Sequence, residues 1–341
     1  MKDNAAANKN YGISLLRILA TILVIFGHTC STIYQNPDLF PLTTAQKHFF
    51  VCTIFRWTLP TFLMITGALL LKPGKKICYR DCLGKYCKRM ILALIIFGVP
   101  FAGLMQYAKG GRGFDLVWKS FAAILTGESF SHLWYLYLLI GIYLIMPILR
   151  AFTEKAGEKE NLYAVIILFV FTICVPTLNR ICGWHIVFSV PVGYSVFYVL
   201  SGYYLMYCVK ARNKWPLICG IILITGILIV FSCLEIFPEE WEQNDNLLVA
   251  AEAVLFFCVF KEITLHRDNS LIWKADRLCF AVYLIHPLFI QFCYRFLGIT
   301  PLSAGKWYAP AALGFGLFFT ACSFLGSILL HKIKPLHDYV L

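Results

Sequence analysis

Charged side chains are scarce in this chain. They make up 14% of its 341 residues, and the acidic ones number only 18 against 30 Lys and Arg. With 60% hydrophobic residues, that composition excludes a water-soluble domain. The apolar runs also lack the period-two alternation of a transmembrane barrel. No small-residue cleavage site follows the first run, so it is not expected to be a removable signal peptide despite Lys2 and Lys9 before it. Internal repeats and low-complexity tails are missing too. What remains is an all-α, polytopic membrane helix bundle, one domain over residues 1–341, embedded in a lipid bilayer.

Ten apolar segments are each long enough to approach bilayer thickness. They lie near 11–33, 48–71, 89–107, 131–150, 162–179, 190–208, 216–236, 247–262, 278–297 and 308–330. Lys and Arg alternate from one connecting loop to the next. If the amino terminus is cytoplasmic, 21 of the 30 lie on inner segments, 6 on outer loops and 3 within spans. Such a bias predicts both termini on the cytoplasmic side. It also accounts for most of the net charge of +12, so no nucleic-acid partner is implied. The acidic segment from Pro238 to Asp245 falls on the outer side. The longest loop, about 108–130, is too short for a domain of its own.

Fourteen cysteines are scattered mostly through apolar segments, where a free thiol behaves as a small hydrophobe. Cys78, Cys82 and Cys87 cluster in a basic loop, but no fourth ligand stands nearby, so no metal site is expected.

Two ionisable groups interrupt the first run, Arg17 and His28. Their placement inside a span is costly unless something answers it. Eleven residues close three helical turns to within about 20° and rise about 16 Å. The two groups therefore share one face, with Arg17 about 9 Å from the inner boundary and His28 near the outer one. Arg56 falls in the outer half of the second span, His132 and Trp134 open the fourth, and His286 lies near mid-membrane beside Pro287, which frees a backbone carbonyl. Each has a plainer reading. Trp134, Tyr135 and Tyr137 fit an aromatic belt. Arg295 fits snorkelling to headgroups. His286 fits a packing histidine, and Glu252 a solvated helix start. For Arg17 with His28, the shared face favours function.

Those residues resemble a known pattern. Arg-x10-His in the first span is similar to the signature of the acyltransferase 3 family of integral-membrane acyltransferases. The run Arg56-Trp-Thr-Leu-Pro-Thr-Phe-Leu-Met-Ile-Thr-Gly67 resembles that family's second-helix segment, with Thr66 in place of the usual serine. His132-Leu-Trp-Tyr-Leu-Tyr137, continuing to Pro147, resembles its His-Leu-Trp-Phe-Leu helix. Phe197–Leu205 and Tyr283–Pro287 resemble two later blocks. The resemblance covers essentially the whole chain.

It implies a bacterial cytoplasmic-membrane transferase that bears no bound cofactor and uses acetyl-CoA or another acyl-CoA as donor. The acyl group, usually acetyl, passes to a hydroxyl of an extracytoplasmic glycan or lipid-linked sugar, so the modification is O-acetylation of a polysaccharide or its precursor. No further domain follows in the sequence, so the chemistry is expected to finish inside the membrane domain. His28 is the expected catalytic group, as general base or as acyl-carrying nucleophile. Arg17 and Arg56 are the expected donor-binding or transition-state-stabilising groups. His132, Trp134 and His286 are candidates for the acceptor or a secondary site. The rival reading is a transporter or exporter of a small solute or glycan intermediate, against which the absence of an inverted repeat counts; a sensor or scaffold without turnover is a third.

Overall fold

A computed structural model describes residues 10–51, 53–108, 110–128, 130–210, 213–236, 243–264 and 270–341. Lys2, Lys9, Lys109 and most of the acidic segment after Pro238 lie outside the described residues. Among those described, all regular structure is helical, and seven helices are long and apolar enough to cross a membrane. The protein is a polytopic membrane helix bundle.

In chain order, α1 spans Tyr11–Tyr34, α2 Thr44–Phe50 and α3 Thr58–Leu70. Helix α4 covers Tyr79–Tyr107, α5 Gly113–Thr126, α6 Trp134–Lys155 and α7 Glu158–Cys182. Then come α8 at Tyr194–Tyr207, α9 at Trp215–Cys233, α10 at Leu247–Lys261, α11 at Ser270–Phe296 and α12 at Tyr308–Leu330.

The ten segments read from the sequence are therefore not ten full spans. Three of them, α3, α8 and α10, have only 13, 14 and 15 residues. At 1.5 Å per residue they reach about 20 to 23 Å, short of the roughly 30 Å of hydrocarbon. Hydropathy registers apolar length but not where a helix begins. The segment 48–71 shows why. Pro60 has no N–H for the Arg56 carbonyl, so the helix starts at Thr58 and Arg56 is left in an irregular turn. The loop expected over 108–130 contains α5 instead. Its Ser120, Ala123 and Ile124 face the protein while Phe114, Trp118, Phe121 and Leu125 are exposed, and Gly127 closes it at φ 78°.

The three short helices survive because they are internal. A Cβ added at Gly67 of α3 would lie 1.8 Å from the Val199 carbonyl oxygen of α8. One added at Gly202 of α8 would lie 2.0 Å from that of Met64 in α3. Only hydrogen fits at either position, so the two backbones touch. Trp57 stacks on Phe256 of α10 at 3.8 Å between ring centres. Lys261, buried at the end of α10, donates to the Leu205 carbonyl in the last turn of α8 and to that of Val209 just beyond it.

Contacts between loops sort into two ends. At one, Asn10 donates to the Lys261 carbonyl (3.2 Å), Arg150 to that of Lys72 (2.6 Å), Lys214 to that of Glu262 (3.1 Å) and Arg89 to that of Val340 (2.7 Å). At the other, Arg180 pairs with Asp245 (3.0 Å), Arg295 with Asn36 (3.1 Å), and Tyr198 donates to the Asn244 carbonyl (2.6 Å). The first end carries the basic loops. Glu252, expected to be solvated, is instead buried between α9 and α10, where Thr225 donates to its Oε1 at 2.6 Å. The sequence places it at a helix start; α9 packing across that start removes the water.

Candidate functional site

One cavity of about 620 Å³ runs alongside α1, touching residues from Arg17 to Gln35. Those 18 steps of helix correspond to about 27 Å of path. At the basic end its wall includes Tyr86, Arg89, Arg277 and Leu341. Arg17, Asp276, Tyr135, Tyr143 and Thr66 line the middle, and Arg56, Trp134, Ser31 and Asn244 the far end with two histidines, His28 and His132. Arg17 and His28 thus open onto the same space.

Arg17 does not face it alone. Its Nη1 is 2.8 Å from Asp276 Oδ1, and Ser14 Oγ donates to Asp276 Oδ2 at 3.0 Å. Sequence reasoning missed Asp276, because the ninth apolar run begins at 278 while α11 begins at Ser270 and carries Asp276 into the bundle. A polar Lys274-Ala-Asp-Arg277 stretch at the edge of an apolar run was the available signal. Arg17 is neutralised as a pair, so it offers oriented N–H groups more than net positive charge.

Three imidazoles meet at the far end. The His286 ring centre lies 5.2 Å from that of His28 and 5.4 Å from that of His132. His286 is fully buried, and its position follows from Pro287. Proline gives no N–H to the Tyr283 carbonyl one turn back, and His286 Nδ1 takes that carbonyl at 2.8 Å. His132 precedes α6 and is enclosed by Phe101, Phe130 and Tyr283 at 5.3 to 5.7 Å between ring centres. The Tyr283 hydroxyl donates to the His132 carbonyl, tying α11 to the start of α6.

Of the other expected site residues, Arg56 and Trp134 both line the cavity. Tyr135 also lines it and meets Tyr283 at 5.9 Å, whereas Tyr137 donates to the Ile124 carbonyl of α5 at 2.6 Å. Tyr135 is therefore a wall residue and not part of a belt. Arg180 and Arg295 stand outside the cavity in their own surface pairs.

Beside the basic mouth, Arg89 donates to the carbonyls of Val340 and Leu341, and its guanidinium lies 4.8 Å from the Phe280 ring centre. Nearby, partial burial lowers the Lys75 ammonium pKa, and Lys85, Arg150 and Lys72 lower it further. A cation crowded by three others marks a surface where a multiply charged anion relieves repulsion.

Arg17 and His28 share one helix face along this passage, as their eleven-residue spacing predicts. Compared with protein families, residues 10–332 match the acyltransferase domain that defines the acyltransferase 3 family. The chain belongs to that family. It is a membrane acyltransferase. No curated protein and no solved structure matches it. The wall of the cavity presents imidazole, guanidinium and hydroxyl groups.

Proposed function

We propose that this protein moves an acyl group, acetyl in the simplest case, from cytoplasmic acyl-coenzyme A to a hydroxyl of an extracytoplasmic glycan or lipid-linked sugar at a bacterial cell membrane. The observation that carries this reading is the continuous cavity joining the basic mouth at Arg89 and Arg277 to the histidines at the far end. An acyl-coenzyme A is anionic at the nucleotide and nearly neutral along its pantetheine arm. The nucleotide stays at the basic end, against Arg89, Arg277, Lys85 of α4 and the loop bearing Lys72 and Lys75. Excess Lys and Arg on those segments favours that end as the cytoplasmic one. The arm extends past the Arg17–Asp276 pair, whose remaining N–H groups suit amide or thioester oxygens better than phosphates.

At the far end His28 acts on the acceptor. As general base it takes the hydroxyl proton while the oxygen attacks the thioester carbonyl; as nucleophile it holds the acyl group before passing it on. Arg56, on the same wall, stabilises the oxyanion that forms. Coenzyme A leaves as the thiol by the way it came. One membrane domain completes the transfer.

The test is transfer of label from [14C]acetyl-coenzyme A to envelope carbohydrate in membranes bearing the protein, with the product identified by mass. A gain of one acetyl unit per acceptor is expected, with release of coenzyme A. Gradient-driven movement of solute with no consumption of acetyl-coenzyme A would overturn the reading in favour of transport.

A further inference from the structure

The three-histidine cluster holds more chemistry than one general base requires. His286 is fully buried, yet its Nε2 has no hydrogen-bond partner. Leaving such an atom unsatisfied forfeits the solvation it would have in water. Its sister atom is committed: Nδ1 faces the Tyr283 carbonyl at 2.8 Å and that of Val282 at 3.3 Å. Carbonyl oxygens only accept, so Nδ1 carries the proton and Nε2 presents a lone pair. The freed carbonyl that fixes this tautomer exists because Pro287 follows.

The nearest ring on the cavity side is His28, at 5.2 Å between centres. An in-line hydrogen bond between two imidazoles spans about 3 Å from nitrogen to nitrogen, which sets the ring centres about 5 Å apart. Ring centres at 5.2 Å stand at the separation of a bonded pair, and a side-chain rotation that aims one ring nitrogen of His28 at Nε2 completes it.

The geometry points to His286 as a positioning residue for His28: its Nε2 accepts the hydrogen bond from one ring nitrogen of His28, so the other nitrogen of His28 presents its lone pair to the substrate in the cavity. This inference rests on the proposed role of His28. The arrangement does the work that a carboxylate does in a Ser-His-Asp triad, setting tautomer and orientation. It does so without a second charge in the membrane. Proline, carbonyl, His286 and His28 form one chain in which each donor and acceptor is fixed by the group behind it.

Two near-isosteric substitutions separate this from a packing role. The side-chain amide of Gln places a polar atom where Nε2 stands; that of Asn reaches only the Nδ1 position. His286→Asn is expected to lower kcat for label transfer from [14C]acetyl-coenzyme A about 100-fold with KM for the donor changed less than about twofold. His286→Gln is expected to stay within about fivefold of the parent, with both variants melting alike in detergent. In 15N-histidine-labelled protein, His28 resonances, identified by their loss in His28→Ala, should report one tautomer in the parent and in His286→Gln, and a mixture in His286→Asn. Equal activity of the Gln and Asn variants, a loss confined to KM, or an unchanged His28 tautomer in His286→Asn would overturn the proposal. A parent protein that transfers no label would overturn the acyl-transfer reading instead, and the tautomer measurement would still decide the pairing.

Discussion

The two ends of the cavity solve the problem of polar groups in a membrane in opposite ways. At the basic end and the middle, charges are present and answered: Arg17 by Asp276, Arg89 by two backbone carbonyls. At the far end, the polarity is carried largely by imidazoles, and two of them keep ring nitrogens without a partner. A paired charge is a permanent fixture, whereas an imidazole nitrogen without a fixed partner is open to giving or taking a proton. The first arrangement suits holding an anionic donor, and the second suits moving a proton.

The sharpest way to break that contrast is His28→Ala. Acyl transfer should fall by about 10³-fold or more while donor binding, followed by isothermal titration with acetyl-coenzyme A, stays near the parent value. Donor binding lost along with activity would mean that the far end also holds the donor. Next in size is Arg17→Ala, which takes from Asp276 its ion-pair partner, leaving the Ser14 hydroxyl on Oδ2, and should cost about 3 kcal/mol of stability. Removing both charges in Arg17→Ala/Asp276→Ala should recover part of that loss in a thermal melt. Additive losses would show that the pair contributes no coupling.

A smaller effect is expected from Arg89→Gln. KM for acetyl-coenzyme A should rise about tenfold with kcat held, and the rise should shrink at high salt. An unchanged KM would move the nucleotide away from this mouth. Smallest of all, Glu252→Gln should alter transfer by less than about twofold, because Glu252 lies between α9 and α10 and not on the cavity wall. A large loss there would extend the functional region beyond the passage.

Much of this site could be read from the sequence, for reasons that are local. The eleven-residue spacing of Arg17 and His28 sets their shared face by helix geometry alone, and both line the cavity. Pro287 announces its freed carbonyl in the sequence, and His286 takes it. What stayed hidden depends on tertiary contact. Nothing local pairs Arg17 with Asp276, 259 residues away, or brings His132 against His286. Glu252 looks like a surface residue until α9 covers it. The count of full spans was overread because three apolar segments are interior helices, whose composition answers to protein neighbours and not to lipid thickness. Pro60 carried the warning for one of them.

That shortness has an electrical consequence. A membrane voltage falls across the layer that water does not enter. Where α3, α8 and α10 meet, the helices reach only about 20 Å against about 30 Å of hydrocarbon in the surrounding lipid, so a dry layer no thicker than those helices would carry a local field about half again as strong. One elementary charge crossing the full layer gains about 2.3 kcal/mol per 100 mV. A proton released at the His28 end would cover only the last part of that drop, while a charge carried from the mouth at Arg89 would cross most of it. If transfer runs as proposed, an energised membrane acts unequally on its two halves, and the half at the histidines is the one it barely touches.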